Sequence, residues 1–149
     1  MQFRSAVSQD LPTLVAMLAD DPLGRQREDP GNRKAYEEAF QALDRDPNHC
    51  LLLAVEGPQI LGFLQLSYLP GLTYQGGWRA QVEGVRVSSS HRSQGIGRSL
   101  VEHAIALARQ KGCRLIQLTT DQSRPDALRF YEKLGFQATH LGLKRDLAF

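Results

Sequence analysis

Apolar and polar residues follow characteristic spacings along the chain, and these spacings predict the first half of the fold. Alternation over Phe3 to Val7 is typical of a short strand, after which Asp10 is placed to cap a helix from Leu11 to about Ala19. Apolar side chains four residues apart predict a second helix from Lys34 to Leu43. The charged stretch between the two helices, residues 20–32, contains two prolines and two glycines and is predicted to be a loop.

The middle of the chain carries three strand-like runs. Cys50 to Val55 and Ile60 to Leu69 flank residues 56–59, a turn rich in helix and strand breakers, so they predict an antiparallel hairpin. Ala80 to Val87 is the third predicted strand. Gly84 lies inside it, and because a glycine within a strand often marks a bulge, we expect a bulge there.

The last third of the chain alternates between helices and strands. A helix that begins near Gly95 carries the widest apolar stripe in the sequence and must pack on a sheet. With the strand before it and a short buried strand from Leu115 to Thr120, it predicts a right-handed parallel crossover. A further helix is expected from Pro125 to Leu134, with Gly135 as its left-handed cap, followed by a last strand from Gln137 to Lys144.

Length and composition favour a soluble protein without a membrane or nucleic-acid partner. With 149 residues, of which 42% are hydrophobic, we expect one domain covering residues 1–149. The N-terminus lacks the apolar segment of a signal peptide, and no apolar run approaches the roughly 20 residues of a membrane span, so a cytoplasmic location is expected. The net charge of +2 does not indicate nucleic-acid binding. The four histidines and two cysteines show no metal-ligand spacing, so we expect no metal.

One turn, Ser90 to Leu100, concentrates residues suited to a bound anion. A helix N-terminus presents unpaired N–H groups and a partial positive charge, and glycines there let an anion approach the backbone. The dinucleotide motif does not fit, because Leu100 occupies its third glycine position, and the P-loop does not fit, because no Gly-Lys-Ser/Thr follows. A Gly-x-Gly turn by itself can also be structural. The candidate residues are Arg92, Gln94, Gly95, Gly97 and Arg98.

The sequence around this turn narrows the choice of the anion that the turn binds. Starting at Arg92 it reads R-S-Q-G-I-G; the predicted strand VEGVRV precedes it, and ALRFYEKLGF follows in the last predicted helix. Together these segments resemble the GNAT superfamily of acyl-CoA-dependent N-acetyltransferases, whose cofactor motif is R/Q-x-x-G-x-G/A. The resemblance is close from about Val82 to Phe136. It implies an α/β (α+β) fold with a mixed, mostly antiparallel central sheet of about six to seven strands, flanked by about four helices, and a splayed parallel strand pair.

The resemblance also implies how acetyl-CoA would be held. The backbone amides of four residues in the turn would bind its pyrophosphate: Gln94, Gly95, Gly97 and Arg98. Arg92 would support the turn. The pantetheine arm would lie between the splayed strands, against the backbone of Val85 and Val87, and the N–H of Val87 would polarise the acetyl carbonyl. Ser99 would add a hydroxyl contact, unless it is only an exposed helix serine.

Two residues are candidates for the chemistry. In relatives a tyrosine at the position of Tyr131 protonates the departing thiolate, although its helical spacing also fits a core tyrosine. Glu83 is the candidate base for the acceptor amine; the alternatives are that it binds a substrate cation or pairs with Arg86. Arg124 stands where many relatives have an asparagine that meets the pantetheine arm, and it would instead reach a cofactor phosphate, an acidic substrate group or solvent. Neither cysteine has a context that suggests an acyl-enzyme, so direct attack in a ternary complex is expected.

The acceptor and the residues that bind it are the part of the function that the sequence determines least. We expect a primary amine of a small molecule as acceptor, with residues 20–32 and Pro70 to Trp78 as the walls of its site. A protein N-terminus or lysine is the alternative acceptor. The presence of both Glu83 and Tyr131 argues against a non-catalytic acyl-CoA sensor or assembly module. The last strand is suited to pair with a second copy, which would give a homodimer.

Overall fold

The computed structural model describes residues 1–148 and contains a five-stranded sheet with helices packed on both faces. The strands lie in chain order; the first four pair antiparallel and the last pair is parallel. They are β1 (Gln2–Ser5), β2 (His49–Glu56), β3 (Gln59–Leu69), β4 (Arg79–Val87) and β5 (Leu115–Gln117). This mixed, mostly antiparallel sheet confirms the predicted fold class, with fewer strands than expected.

Helical segments connect these strands. They are α1 (Leu11–Ala19), α2 (Gly24–Arg27), α3 (Arg33–Arg45), α4 (Thr73–Gly76), α5 (Ile96–Lys111) and α6 (Pro125–Lys133). The four longer helices lie where the apolar spacing predicts them. In α4, Tyr74 and Gln75 have φ of 53° and 58°, so this segment is a left-handed turn. None of the helices within residues 1–148 combines the length and the hydropathy of a membrane span.

Alternation along the central strands divides the core between the two faces of the sheet. Leu52 and Leu64 belong to the cluster beneath α5, where Leu100 is fully buried. Leu53 and Phe63, one position away on the same strands, belong to the cluster beneath α1. Neighbouring side chains on a strand point to opposite faces, so both faces of β2 and β3 are apolar and both carry helices.

Gly62 lets α5 lie close to β3. A Cβ at this position would stand 2.7 Å from the carbonyl oxygen of Arg86 and 3.1 Å from a methyl carbon of Leu100. A larger residue would therefore push the helix and the end of β4 away from the sheet.

The bulge predicted at Gly84 is present. Phe63 pairs with Arg86 and Gln65 pairs with Glu83, so β4 uses one more residue than β3 over the same stretch. Gly84 has φ of +63°, in the left-handed region that favours glycine. The extra residue turns the last part of β4, from Val85 onward, away from a regular ladder.

Asp10 precedes α1 as predicted but does not cap it. Its carboxylate accepts the N–H of Val7 at 2.8 Å and pairs with Arg4 at 2.7 Å, which closes the 3-10 turn Ser8–Asp10 before the helix. The hydrogen bond from Arg4 lowers the pKa of Asp10, against the opposing effect of burial. The pair holds β1 against the start of α1.

The last predicted strand, Gln137 to Lys144, is wrong for the single chain. Residues 137–148 form neither helix nor strand, and Leu141 and Leu143 are 85% and 90% exposed. A strand needs a neighbour for its backbone N–H and C=O groups, and β5 pairs over only three residues. Residues 137–144 have the alternation that predicts a strand, but no strand among the described residues pairs with them.

Candidate active site

The turn that enters α5 leaves backbone donors free. Gly95 has φ of +81° and precedes the helix, and the N–H of Ser99 makes the first helical bond, to the carbonyl of Gly95 at 3.0 Å. The N–H groups of Ile96, Gly97 and Arg98 therefore come before any i→i−4 partner. No side chain among residues 1–148 caps this helix end. The turn thus presents several N–H groups and the positive end of the helix dipole to a ligand.

The two glycines of the turn have different roles. A Cβ on Gly95 would meet no atom within 4 Å, so this position needs glycine for its left-handed φ and not for space. A Cβ on Gly97 would lie 3.6 Å from Phe130 and from Val87, an ordinary contact. The protein's own packing therefore does not require bare backbone at Gly97. A ligand lying against the helix end would require it.

The side chains of the turn are anchored away from its N–H groups. Arg92 donates to the carbonyl of Asp20 at 3.1 Å, which joins the turn to the end of α1. Arg98 donates to Glu102, one helical turn along, at 2.9 Å. Ser99 is half-buried, and its hydroxyl contact with a cofactor stays a prediction. These contacts hold the arginine side chains away from the space in front of the backbone N–H groups of the turn.

A pocket of about 390 Å³ lies beside this turn. Four parts of the chain meet there: the loop after α1, the end of β4, the turn before α5 and the loop before α6. Its walls are Asp21, Pro22, Val85, Arg86, Val87, Arg92 and Arg124. The structure therefore brings together three of the predicted cofactor residues, the predicted wall near residue 21, and Arg124.

β4 and β5 separate at the pocket. Their parallel pairing covers Arg79 to Gln81 on β4 and ends at Gln117 on β5. Beyond that point, Val85 and Val87 have no parallel partner among the described residues. This is the splayed parallel pair that the sequence resemblance implies, and it exposes strand backbone next to the pocket.

Asp21 organises the charges of the pocket. Its carboxylate pairs with Arg86 at 3.1 Å and with Arg124, and it accepts the N–H groups of Leu23 and Gly24 at 3.3 and 3.1 Å. Burial acts to raise the pKa of Asp21, but the two arginines and the two N–H groups outweigh it and hold the pKa below its ordinary value. Asp21 is thus an anion that ties α2, β4 and the loop before α6 to one point.

Sequence reasoning did not identify Asp21 as the partner of Arg86. Pairing with Arg86 was one alternative to the predicted base role of Glu83, but Arg86 pairs with Asp21 at 3.1 Å. One signal was available: in VEGVRV an arginine stands between two valines at the apolar end of a strand. Such a buried cation needs a carboxylate, and only the tertiary structure identifies it.

Tyr131 is half-buried and packs against the core cluster beneath α5. Its ring packs edge-on against Phe130 and Phe136, with centroids 5.0 and 5.8 Å apart. Burial raises the pKa of its phenol, and the charges of Arg86 and Arg124 partly oppose that rise. Tyr131 is not among the residues that line the pocket. The predicted cap at Gly135 is present, with φ of +93°.

Glu83 and the second predicted wall lie outside the pocket lining. Glu83 is exposed beside the bulge, opposite Gln65. In the segment from Pro70 to Trp78, Tyr74 lies under Arg114 at 5.5 Å and Trp78 under Lys111 at 5.2 Å. The segment is therefore anchored against the end of α5, and none of its residues lines this pocket; its role as a wall of the acceptor site stays a prediction.

Comparison with known proteins agrees with this geometry. Residues 14–136 match the family described as the acetyltransferase (GNAT) family. The chain belongs to the GNAT family of acetyltransferases. Its relatives include an aminoalkylphosphonate N-acetyltransferase of Salmonella typhimurium, 27% identical over 146 residues, which are 98% of this chain and 91% of that protein. A glucosamine 6-phosphate N-acetyltransferase of Trypanosoma brucei brucei is 34% identical over 89 residues, 60% of this chain and 58% of that protein.

Solved GNAT-like structures share the whole fold. A crystal structure described as a transcriptional regulator from Bacillus halodurans C-125 superposes with a TM-score of 0.95 and 52% identity, over 98% of this chain and 99% of that chain. The family and the named relatives together establish this chain as an N-acetyltransferase enzyme, and GNAT enzymes in general use acetyl-CoA as the acyl donor.

Proposed function

We propose that this GNAT protein acts as one domain that transfers the acetyl group of acetyl-CoA to a primary amine of a small molecule, by direct attack in a ternary complex. The observation that carries the proposal is the start of α5 at Gly95 and Gly97, the helix entrance, where backbone N–H groups are free directly beside a pocket. A donor and an acceptor would then meet where β4 and β5 part.

The residues present fit acetyl-CoA. The free N–H groups at Ile96, Gly97 and Arg98 suit a diphosphate, and each charge-assisted bond of this kind contributes about 1.5 to 3 kcal/mol. The unpaired side of β4 at Val85 and Val87 suits the amide groups of a pantetheine arm. When bound, acetyl-CoA supplies an acetyl thioester. Arg92 would support the turn through its bond to Asp20, as the sequence resemblance implies.

We assign the proton transfers to Tyr131 and Glu83. The raised pKa of the Tyr131 phenol keeps it protonated at neutral pH, as a general acid requires. Glu83 is exposed next to the bulge, two residues beyond the last residue of β4 that pairs with β5, where it is suited to accept a proton from the amine directly or through water. Burial raises the pKa of the Cys113 thiol, which disfavours a thiolate and agrees with transfer without an acyl-enzyme.

Two measurements test the proposed reaction. Calorimetry with coenzyme A should give a saturable one-to-one binding isotherm, and acetyl-CoA with a panel of small amines should release free thiol. Binding without thiol release from any amine would instead indicate a sensor. The absence of binding would overturn the assignment of the helix entrance. Acetylation of peptide N-termini or lysines alone would overturn the small-molecule acceptor.

We also propose that the partner of this chain is a second copy, joined through residues 137–148. A Cβ on Gly142 would lie 3.6 Å from Thr119, so this segment runs beside the end of β5, which is an edge of the sheet. Its leucines share one parity along the chain and are largely exposed: Leu141, Leu143 and Leu147. A second copy that covers them would remove this apolar surface from water.

A further inference from the structure

The pocket carries more positive than negative charge. Three of its lining residues are arginines and one is an aspartate. Arg92 is already engaged with Asp20, with its side chain 3.8 Å from that carboxylate. Arg86 and Arg124 share the single carboxylate of Asp21. The pair therefore retains about one unit of uncompensated positive charge.

Arg86 is a buried cation whose hydrogen bonding is incomplete. Its side chain is 12% exposed; one terminal nitrogen pairs with Asp21 and the other donates to the carbonyl of Val85 at 2.9 Å. Its Nε atom is buried without a hydrogen-bond partner among the described residues. Arg27 and Glu28 also act on Arg86 but with opposite signs. The chain thus holds this guanidinium in a site that it does not fully neutralise.

Arg124 gives a ligand access to this charge. Its side chain is 35% exposed, lines the pocket and bonds to the oxygen of Asp21 that Arg86 does not use. An arginine fork binds carboxylate or phosphate oxygens with two parallel bonds, and Arg124 is placed to offer its unpaired donors in this way.

The position of the two arginines links them to the acceptor. Arg86 lies beside Phe63 on the α1 face of the sheet, and Asp21 and Pro22 from the loop after α1 close the pocket. The same arginines act electrostatically on Tyr131, the proposed acid. Nearby cations also lower the pKa of an ammonium group, which favours the neutral, nucleophilic amine.

We propose that the acceptor is an amine that also carries an oxyanion group, a carboxylate, phosphate or phosphonate, and that Arg124 and Arg86 bind this group in the pocket. This inference rests on the proposed acetyl transfer and names the acceptor class for it. The names of two relatives specify amines of this kind, a phosphonate and a phosphate.

Matched acceptor pairs test the inference. Glycine is compared with glycinamide, and phosphoethanolamine with ethanolamine, by the ratio of kcat/KM for thiol release. The anionic member of each pair should be preferred about 10- to 100-fold, the range that one or two charge-assisted bonds support. Equal rates within each pair would overturn the acceptor class and leave the acetyl transfer standing.

Variants identify the charged residue that is responsible for the preference for anionic acceptors. Arg124→Gln should reduce the preference ratio to near one, because it removes the accessible cation. Arg129→Gln is the control, since Arg129 lies on the exposed side of α6 and pairs with Asp126; its ratio should stay that of the parent. An unchanged ratio in Arg124→Gln, together with weaker binding of coenzyme A, would show that Arg124 serves the donor and would overturn the inference.

Binding separates failure of this inference from failure of the proposed function. If no amine releases thiol, the same pairs are titrated by calorimetry into the protein saturated with coenzyme A. Tighter binding of glycine and phosphoethanolamine than of their uncharged partners, lost in Arg124→Gln, would support the anion site even without turnover. Indistinguishable binding within each pair would overturn it.

Discussion

The two glycines at the helix entrance differ in whether the fold itself requires a glycine. Gly95 is required by its backbone angle, whereas Gly97 has room for a side chain in the folded protein. The two glycines of the motif are thus equivalent in sequence and different in physical role. Substitution by alanine distinguishes these roles.

Gly97→Ala should keep the stability of the fold and weaken coenzyme A binding about tenfold or more. The new methyl group makes only ordinary contacts at 3.6 Å with Phe130 and Val87, but it projects where a cofactor would cross the helix entrance. Gly95→Ala is the comparison, and it should lose about 1 to 2 kcal/mol of folding free energy through its left-handed φ. Thermal denaturation and calorimetry measure both quantities. Unchanged affinity in Gly97→Ala would contradict the assigned binding mode.

Tyr131→Phe should lower kcat by roughly 100-fold, the usual contribution of a general acid, with an unchanged Kd for coenzyme A. The ring contacts with Phe130 and Phe136 are preserved in this variant, so its fold should be intact. Because burial raises the pKa of the phenol, the parent enzyme should lose no activity through deprotonation of Tyr131 until the pH exceeds about 10. A parent-like kcat in the variant would assign Tyr131 to the core alone.

At the scale of elements, the loop after α1 joins α2 to the end of β4 and to the loop before α6. Asp21 binds the first N–H groups of α2 and the arginines of β4 and of the loop before α6. A short helix of four residues has little stability of its own, so these bonds hold it in place.

Asp21→Asn should destabilise the fold by about 3 kcal/mol at neutral pH, because it leaves the buried Arg86 without its counter-ion. The pKa of Asp21 is lowered in the folded state, so its stabilisation is full above the unfolded carboxyl pKa of about 4 and is lost as the pH falls through the folded value. The parent melting temperature should therefore drop below about pH 4, and the drop should be smaller in the variant. An equal drop in both would place the acid sensitivity elsewhere, with Asp10 the next candidate.

Gly24→Ala should destabilise the fold by about 3 kcal/mol, because its Cβ would stand 1.9 Å from the carbonyl oxygen of Leu18 and force α1 and α2 apart. Gly31→Ala is the matched control in the same loop. Its Cβ would approach only the carboxylate of Asp29, at 3.2 Å; this exposed side chain accepts the N–H of Gly31 and is able to shift without moving the backbone. Chemical denaturation compares the two variants, and similar losses would rule out the contact with Leu18 as the cause.

At the scale of the whole molecule, the exposed C-terminal leucines are the surface of the proposed homodimer. Leu141→Ser combined with Leu143→Ser should convert the proposed homodimer to a monomer, measured by light scattering after size-exclusion chromatography. Leu72→Ser is the control, because Leu72 is 94% exposed in a different part of the surface and should leave the assembly unchanged. A monomeric parent protein would contradict the homodimer.

Much of the architecture follows from local pattern. The helices α1, α3, α5 and α6, the hairpin of β2 and β3, and the bulge at Gly84 are all predicted from apolar spacing and breaker residues. The strand expected at Gln137 to Lys144 is not, because alternation reports only which face a strand would present and never whether a neighbour exists to pair with it.

By itself the sequence determined most of the helices and strands, the glycine turn before α5 and the family resemblance, since all three depend on residues that lie close together along the chain. Only the tertiary structure decided the partner of Arg86 and the function of Asp21. These residues are far apart in sequence. Burial of a cation on β4 requires a carboxylate to balance its charge, but any distant carboxylate is able to do so, and the sequence does not say which one does. The charges that line the pocket are therefore a property of the folded chain.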